Sequence, residues 1–179
     1  MAVTDYDAYV YDLDGTLVEL AVDWDEVATD VAAVLRARGV DVSDATLWDM
    51  LELSDETGYR RPVEEAIAEH EREGARTARR LALADELPRD RPVGVCSLNC
   101  EAACRIALER YGLDGSVSAI VGRDSVATQK PDPEPLLATI EALGAMPERT
   151  LFIGDSPRDE RTAERAGSAF VYATEWLDR

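Results

Sequence analysis

Short apolar runs rich in Val, Ile and aromatic residues recur along the chain at Ala8 to Leu13, Val93 to Ser97, Ala119 to Gly122, Thr150 to Gly154 and Ala169 to Tyr172. Each has the length of a buried strand, and segments with apolar residues three and four apart separate the later ones. This alternation predicts an α/β fold, a Rossmann-like and mainly parallel sheet with flanking helices. The helix ends are also readable. Asp132 and Pro133 mark an N-cap and a first-turn proline, Leu136, Leu137, Ile140 and Leu143 form the apolar stripe, and Gly144 closes it. Another helix follows Gly154 and Asp155 and stops at Gly167.

The pattern changes between the first two runs. Val18 to Pro92 shows no strand and is too long for an ordinary crossover. Trp24 to Arg38 carries Val27, Val31, Val34 and Leu35 at helical spacing, Ser43 is placed to cap a second helix through Leu53, and Pro62 to Ala84 reads as a third. A small helical cap inserted after the first strand fits, with residues 1–17 and 88–179 forming the core and 18–87 the cap. Pro88 and Pro92 punctuate the return linker. The charge-dense stretch from Glu64 to Arg80 reads as a solvated helix face with i, i+4 pairs. His70 falls in register with Val63, Ala66, Ile67 and Ala78, which favours helix packing over substrate contact. Cys100 and Cys104 share a stripe with Ala103, Ala107 and Leu108, so core packing is expected rather than a metal site with Cys96.

Composition alters the picture in one respect. Among 179 residues, 37 acids face 19 bases, a formal charge of −18 that repels nucleic acid and anionic lipid. The bases are eighteen Arg and one Lys, Lys130. Acid excess with almost no Lys is expected of a high-salt cytoplasm, as in a halophilic archaeon. No run approaches membrane-spanning length, and the N-terminal residues lack the basic-then-apolar order of a secretion signal, so a cytoplasmic protein is expected. Nothing in the sequence indicates the oligomeric state.

The candidate chemistry lies at strand ends. Asp12 and Asp14, two apart after the first run, project to one side, and Gly15 leaves room there. Ligands of open α/β sheets bind at the carboxyl ends of strands, where two carboxylates repel each other unless a cation or proton intervenes. The fourth run ends alike, with Asp155 and, one turn later, Asp159. Four hard oxygen ligands suit Mg²⁺, which keeps waters and accepts a substrate phosphate. Ser97 and Asn99 supply neutral hydrogen-bond donors and Lys130 an ammonium, the complement that a phosphate needs.

The ordered motifs DLDGT, the Ser97 strand end, Lys130 and GDSPRD resemble those of the haloacid dehalogenase superfamily, from Tyr9 to about Tyr172. The helical insertion resembles the caps of its phosphoglycolate phosphatase-like branch. The resemblance implies a Mg²⁺-dependent phosphomonoester hydrolase acting on a small phosphorylated metabolite, phosphoglycolate-like or a sugar phosphate, through an aspartyl-phosphate. Asp12 would then be the nucleophile and Asp14 the acid and base. Ser97, Asn99 and Lys130 would hold the phosphate. Asp12, the Asp14 carbonyl and Asp155 would bind the metal, with Asp159 behind them. Asp14 argues against a dehalogenase, the absence of Lys from the cap against a phosphonatase, and Leu13 against a transport ATPase. A phosphomutase or an idle binding protein of the same fold remain as alternatives. Arg60 and Arg61 in the cap are placed to reach a second anionic group, or to be solvated surface residues.

The charge generates a first prediction. At 0.01 M salt the screening length is about 30 Å, so the acids repel across the whole domain, whereas at 1 M it is about 3 Å. Thermal melting in KCl from about 0.05 to about 3 M should show a midpoint that climbs steeply over the first molar. A flat or falling midpoint excludes adaptation to salt.

Overall fold

The computed structural model describes residues 6–87 and 90–178. The first strand, β1 (Ala8–Tyr11), leads into a two-residue strand, β2 (Val18–Glu19), and three helices, α1 (Trp24–Arg36), α2 (Leu47–Glu56) and α3 (Arg60–Arg76). A second two-residue strand, β3 (Arg79–Arg80), precedes β4 (Val93–Cys96), α4 (Glu101–Arg110), β5 (Ala119–Val121) and α5 (Glu134–Ala142). The chain continues through β6 (Thr150–Gly154), α6 (Pro157–Ala166), β7 (Ala169–Tyr172) and α7 (Ala173–Leu177). All five expected runs are strands.

The main sheet has the order β5-β4-β1-β6-β7 and is parallel throughout. Strand alternation sends residues to two faces. Tyr9, Tyr11, Val95 and Ile153 pack with Ala103, Cys104, Ala107 and Leu108 of α4, while Val10, Cys96 and Phe152 pack with Leu136 and Ile140 of α5 and Ala163 of α6. Both faces are therefore covered, which is why the strands read as continuous apolar runs. All three cysteines are free and buried in this packing. The order reverses at β1, from which the chain first builds outward through β4 and β5 and then returns to β6 on the other side. Asp12 thus stands at a topological switch point.

The inserted helices enclose an apolar cluster of their own, with Val27, Val31 and Leu35 of α1, Met50 and Leu51 of α2, and Val63 and Ile67 of α3. Four expectations need correction. The second helix starts at Thr46, not Ser43, because Thr46 and Asp49 form a reciprocal capping box, whereas the Ser43 hydroxyl is bound by Asp41. The third helix ends at Arg76, and the segment expected to lack strands contains β2 and β3, paired antiparallel at Val18 with Arg80 and Glu19 with Arg79. Two-residue strands have no period to read, and their pairing spans sixty residues. Helix α5 is shifted by one, with Pro133 at its N-cap and Asp132 accepting from the Glu134 amide at 3.0 Å. Pro88 of the expected return linker lies outside the described residues.

Helix α3 meets the strand β2 side at a glycine. A Cβ on Gly74 would stand 2.7 Å from Val22 Cγ2 and 2.8 Å from the Ala21 carbonyl oxygen. The Ala21 amide donates to the Gly74 carbonyl at 3.2 Å, so neither backbone can withdraw freely. Gly74→Ala should therefore destabilise the protein by about 1–3 kcal/mol although alanine is the better helix former. Urea denaturation checks this, and a stabilised variant would show that the contact yields.

Candidate active site

The carboxyl end of β1 turns sharply after Asp12, whose amide still donates to Ile153 of β6 at 2.9 Å. The Leu13 carbonyl then collects the amides of Thr16, Leu17 and Val18 at 3.2, 2.9 and 3.1 Å, closing the loop. Gly15 lies in the left-handed region at φ 81°, and a Cβ there would come within 2.3 Å of Asp155 Oδ2. Glycine is thus required twice over, by conformation and by the approach of β6's carboxylate. The loop holds Asp12 through the Leu13 amide, 2.7 Å from Oδ1, and Asp14 through the Leu20 amide, 2.8 Å from its Oδ1.

Lys130 lies between two carboxylates, its Nζ 3.1 Å from Asp12 Oδ1 and 2.5 Å from Asp159 Oδ1. Asp159 is fully buried and has a second task. Its Oδ2 accepts from the Ser156 amide and hydroxyl at 3.1 and 2.7 Å in the capping box that opens α6. The helix cap therefore aims Asp159 at Lys130. Burial pulls the Lys130 ammonium toward neutrality, but Asp12 and Asp159 outweigh it and raise its pKa. Burial pushes the Asp12 carboxyl up to about 7 against the pull of Lys130, and burial likewise raises Asp14 and Asp155.

Ligand oxygens of Asp12, Asp155 and Asp159 lie within 4.8 Å of one another. Such a set is costly without positive charge, and hard oxygens at this density fit a divalent cation of the Mg²⁺ class. Asp159 is already engaged by Lys130 and Ser156, which leaves Asp12 and Asp155 as the side chains able to hold it. The Asp14 side chain is not in this set but lines the same cavity.

That cavity, about 660 Å³, opens between the carboxyl ends of the strands and the inserted helices. Asp12, Asp14, Asp155, Ser97 and Asn99 line it, whereas Lys130 stands behind Asp12. Ser97 donates to Asn99 Oδ1 and accepts the Asn99 amide, both at 3.1 Å. The Asn99 side-chain amide donates to Glu71 at 3.4 Å while the residue lines the cavity. Arg60 pairs with Asp55 and Glu64 at 2.5 and 2.6 Å, and neither it nor Arg61 lines the cavity, which removes both as contacts for a second anion. His70 joins α3 to α1 through Asp30 at 2.7 Å, as helix packing requires.

Glu71 and Arg123 escaped the sequence reading. Glu71 sits in the stretch expected to be a solvated face, yet it is fully buried. Arg123, just beyond β5, forks onto it at 2.5 and 3.0 Å, donates to the Leu98 carbonyl at 2.7 Å and reaches Glu64 at 2.8 Å. The Cys100 amide adds a bond to Glu71 at 2.9 Å. Burial opposes the charge on Arg123, but Glu71 and Glu64 overcome it and raise its pKa. A signal existed, because Glu71 continues the i, i+4 stripe of Val63 and Ile67.

Fold and site together define a class, a doubly wound α/β protein with a carboxylate-lined crevice at its topological switch point. The chain matches the haloacid dehalogenase-like hydrolase family over residues 9–173 and belongs to it. It is 42% identical over 79 residues to the phosphoglycolate phosphatase of Rhodospirillum rubrum, covering 44% of this chain and 33% of that protein. To a phosphoglycolate phosphatase of Cereibacter sphaeroides it is 43% identical over 83 residues, 46% of this chain and 37% of the relative. These matches span about a third of the relatives' length. Among solved structures, a HAD-superfamily hydrolase of subfamily IA from Geobacter sulfurreducens superposes with a TM-score of 0.64 at 25% identity, covering 97% of this chain and 98% of that one. CbbY from Rhodobacter sphaeroides, solved with phosphate, gives 0.65 at 19% identity over 93% and 85%, a likeness of fold alone.

The Glu71–Arg123 pair yields a prediction. Arg123→Met leaves a buried carboxylate without its partner and should cost about 3–5 kcal/mol in urea denaturation. Glu71→Leu combined with Arg123→Met should recover most of that loss, since the buried charge goes too. A single variant as stable as the unaltered protein would show that the pair does not hold α3 to the core.

Proposed function

We propose that this protein is a Mg²⁺-dependent phosphomonoesterase that hydrolyses a small phosphorylated metabolite through an aspartyl-phosphate on Asp12, in a high-salt cytoplasm. The observation that carries the reading is the anchoring of Asp12. The Leu13 amide and Lys130 both contact Oδ1, so neither occupies the other oxygen of a carboxylate that lines the cavity beside Asp14 and Ser97. Membership of a hydrolase family and the stretch shared with phosphoglycolate phosphatases support it. Residues 18–87 act as a helical cap that shields the reacting phosphoryl group from water.

In the first step an Asp12 oxygen bonds to phosphorus as the ester P–O bond breaks, and the departing alkoxide takes the proton of Asp14. Burial raises the pKa of the Asp14 carboxyl, the direction that a proton donor requires. In the second step Asp14, now ionised, takes a proton from water whose oxygen attacks phosphorus, and phosphate leaves Asp12 free. Ser97 orients the transferring oxygens, and Lys130 offsets their charge from behind Asp12, positioned there by Asp159. Mg²⁺, held by Asp12, Asp155 and the Asp14 carbonyl, would screen the carboxylates from the phosphate dianion.

Hydrolysis of an aryl phosphate should require Mg²⁺ and stop in excess EDTA. Asp12→Asn should abolish turnover and acyl-phosphate formation, whereas Asp14→Asn should cost about 10² to 10⁴ in rate, least with good leaving groups. Lys130→Arg should lose most activity despite its charge, because a planar fork does not replace a point contact. Steady-state kinetics with acid-quench trapping of the intermediate checks all three, and an Asp12→Asn protein with full activity overturns the mechanism.

A further inference from the structure

Opposite the carboxylates, the inserted helices present an apolar wall to the cavity. Trp24 and Ala28 come from α1, Leu47, Trp48 and Leu51 from α2, and Ile67 from α3. Two of the chain's three tryptophans therefore stand here, 45% and 54% exposed, among the few large apolar side chains left uncovered in the described residues. Most charges around the wall are already paired. Asp25 and Glu71 line the same cavity, the fork of Arg123 is committed to Glu71 and Glu64, and Arg60 is paired elsewhere. Arg158, the remaining guanidinium in the lining, lies over the Trp48 ring, 5.3 Å from its centroid. It occupies one side of the Trp48 indole.

Resting on the phosphomonoesterase reading, we infer that the alcohol released is uncharged and carries an aromatic or heteroaromatic ring that seats against Trp24 and Trp48. A carboxylate or second phosphate on the leaving group would lie against Asp25 and the apolar side chains, and the guanidinium in the lining outside an ion pair, Arg158, is stacked on Trp48. An apolar ring covers the exposed indoles and releases their water. Trp24 and Trp48 are then the residues that determine specificity. The substrate class differs accordingly from phosphoglycolate, whose alcohol bears a carboxylate.

The test compares benzyl phosphate, ethyl phosphate and phosphoglycolate, all esters of primary alcohols, on the full chain with Mg²⁺ in concentrated KCl. The kcat/KM for benzyl phosphate should exceed that for each of the others by about tenfold or more. Trp48→Ala should collapse the benzyl-to-ethyl ratio toward unity, and Trp48→Phe should preserve it. Tryptophan fluorescence titrated with benzylphosphonate and with phosphonoacetate, neither a hydrolysable ester, reads the subsite without turnover, and benzylphosphonate should bind at least about tenfold more tightly. If no ester is cleaved but benzylphosphonate keeps this advantage, hydrolysis fails as a reading and the ring subsite stands. Equal or tighter binding of phosphonoacetate, faster cleavage of phosphoglycolate, or a benzyl-to-ethyl ratio unmoved by Trp48→Ala overturns the inference.

Discussion

The structure depends on how several carboxylates are kept together at one sheet edge. Asp12, Asp155 and Asp159 stand within 4.8 Å of one another because the parallel sheet sets β1 beside β6 and ends both strands at the same level. Left to themselves these groups repel, and burial raises the cost of their charge. Lys130 offsets part of it from behind, bridging Asp12 and Asp159. The remaining excess faces the cavity, where a divalent cation would complete the balance. The Asp159 capping box, the close approach at Gly15 and the loop that fixes Asp12 all hold this arrangement in place.

A second buried charge pair does for the inserted helices what Lys130 does for the sheet edge. Glu71 takes the Arg123 fork and the Cys100 amide, and Asn99 leans on it as well. One residue of α3 thereby grips the segments following β4 and β5, both of which belong to the site. Ionic pairs of this kind add little net stability compared with an apolar contact, but breaking one partner is costly. Their value here is register, since α3 can seat on the core only where the fork and the two carboxylate oxygens meet.

Much of this was legible along the chain, for physical reasons that vary by element. The five strands announced themselves because both faces of a parallel sheet are covered and leave unbroken apolar runs. Asp12, Asp14 and Asp155 drew notice because they stand where such runs end, and Lys130 because it is the chain's one lysine. Glu71 was missed because composition made its segment look solvated, and the i, i+4 continuation from Val63 and Ile67 was outvoted by the surrounding charge. Strands β2 and β3 could not be read locally, since their stability comes from pairing with residues sixty positions away. The contact between Asn99 and Glu71 could not be read locally either, since only the fold brings these two residues together.

The two buried cations also explain why a chain with eighteen arginines keeps one lysine. Glu71 presents both oxygens to Arg123 along with the nearby Leu98 carbonyl and Glu64, a spread of acceptors that a planar guanidinium matches with its separate donors. At Lys130 the acceptors converge instead. Asp12 and Asp159 each offer one oxygen to a single nitrogen, which also lies 5.6 Å from the centroid of the Phe152 ring beneath. A guanidinium would need room for its extra breadth between the two carboxylates, and Asp159 is held by the helix cap and unable to retreat. Selection for arginine elsewhere on the surface acts on charge and solvation, whereas here the shape of the cation decides, and shape is the property that the two residues do not share.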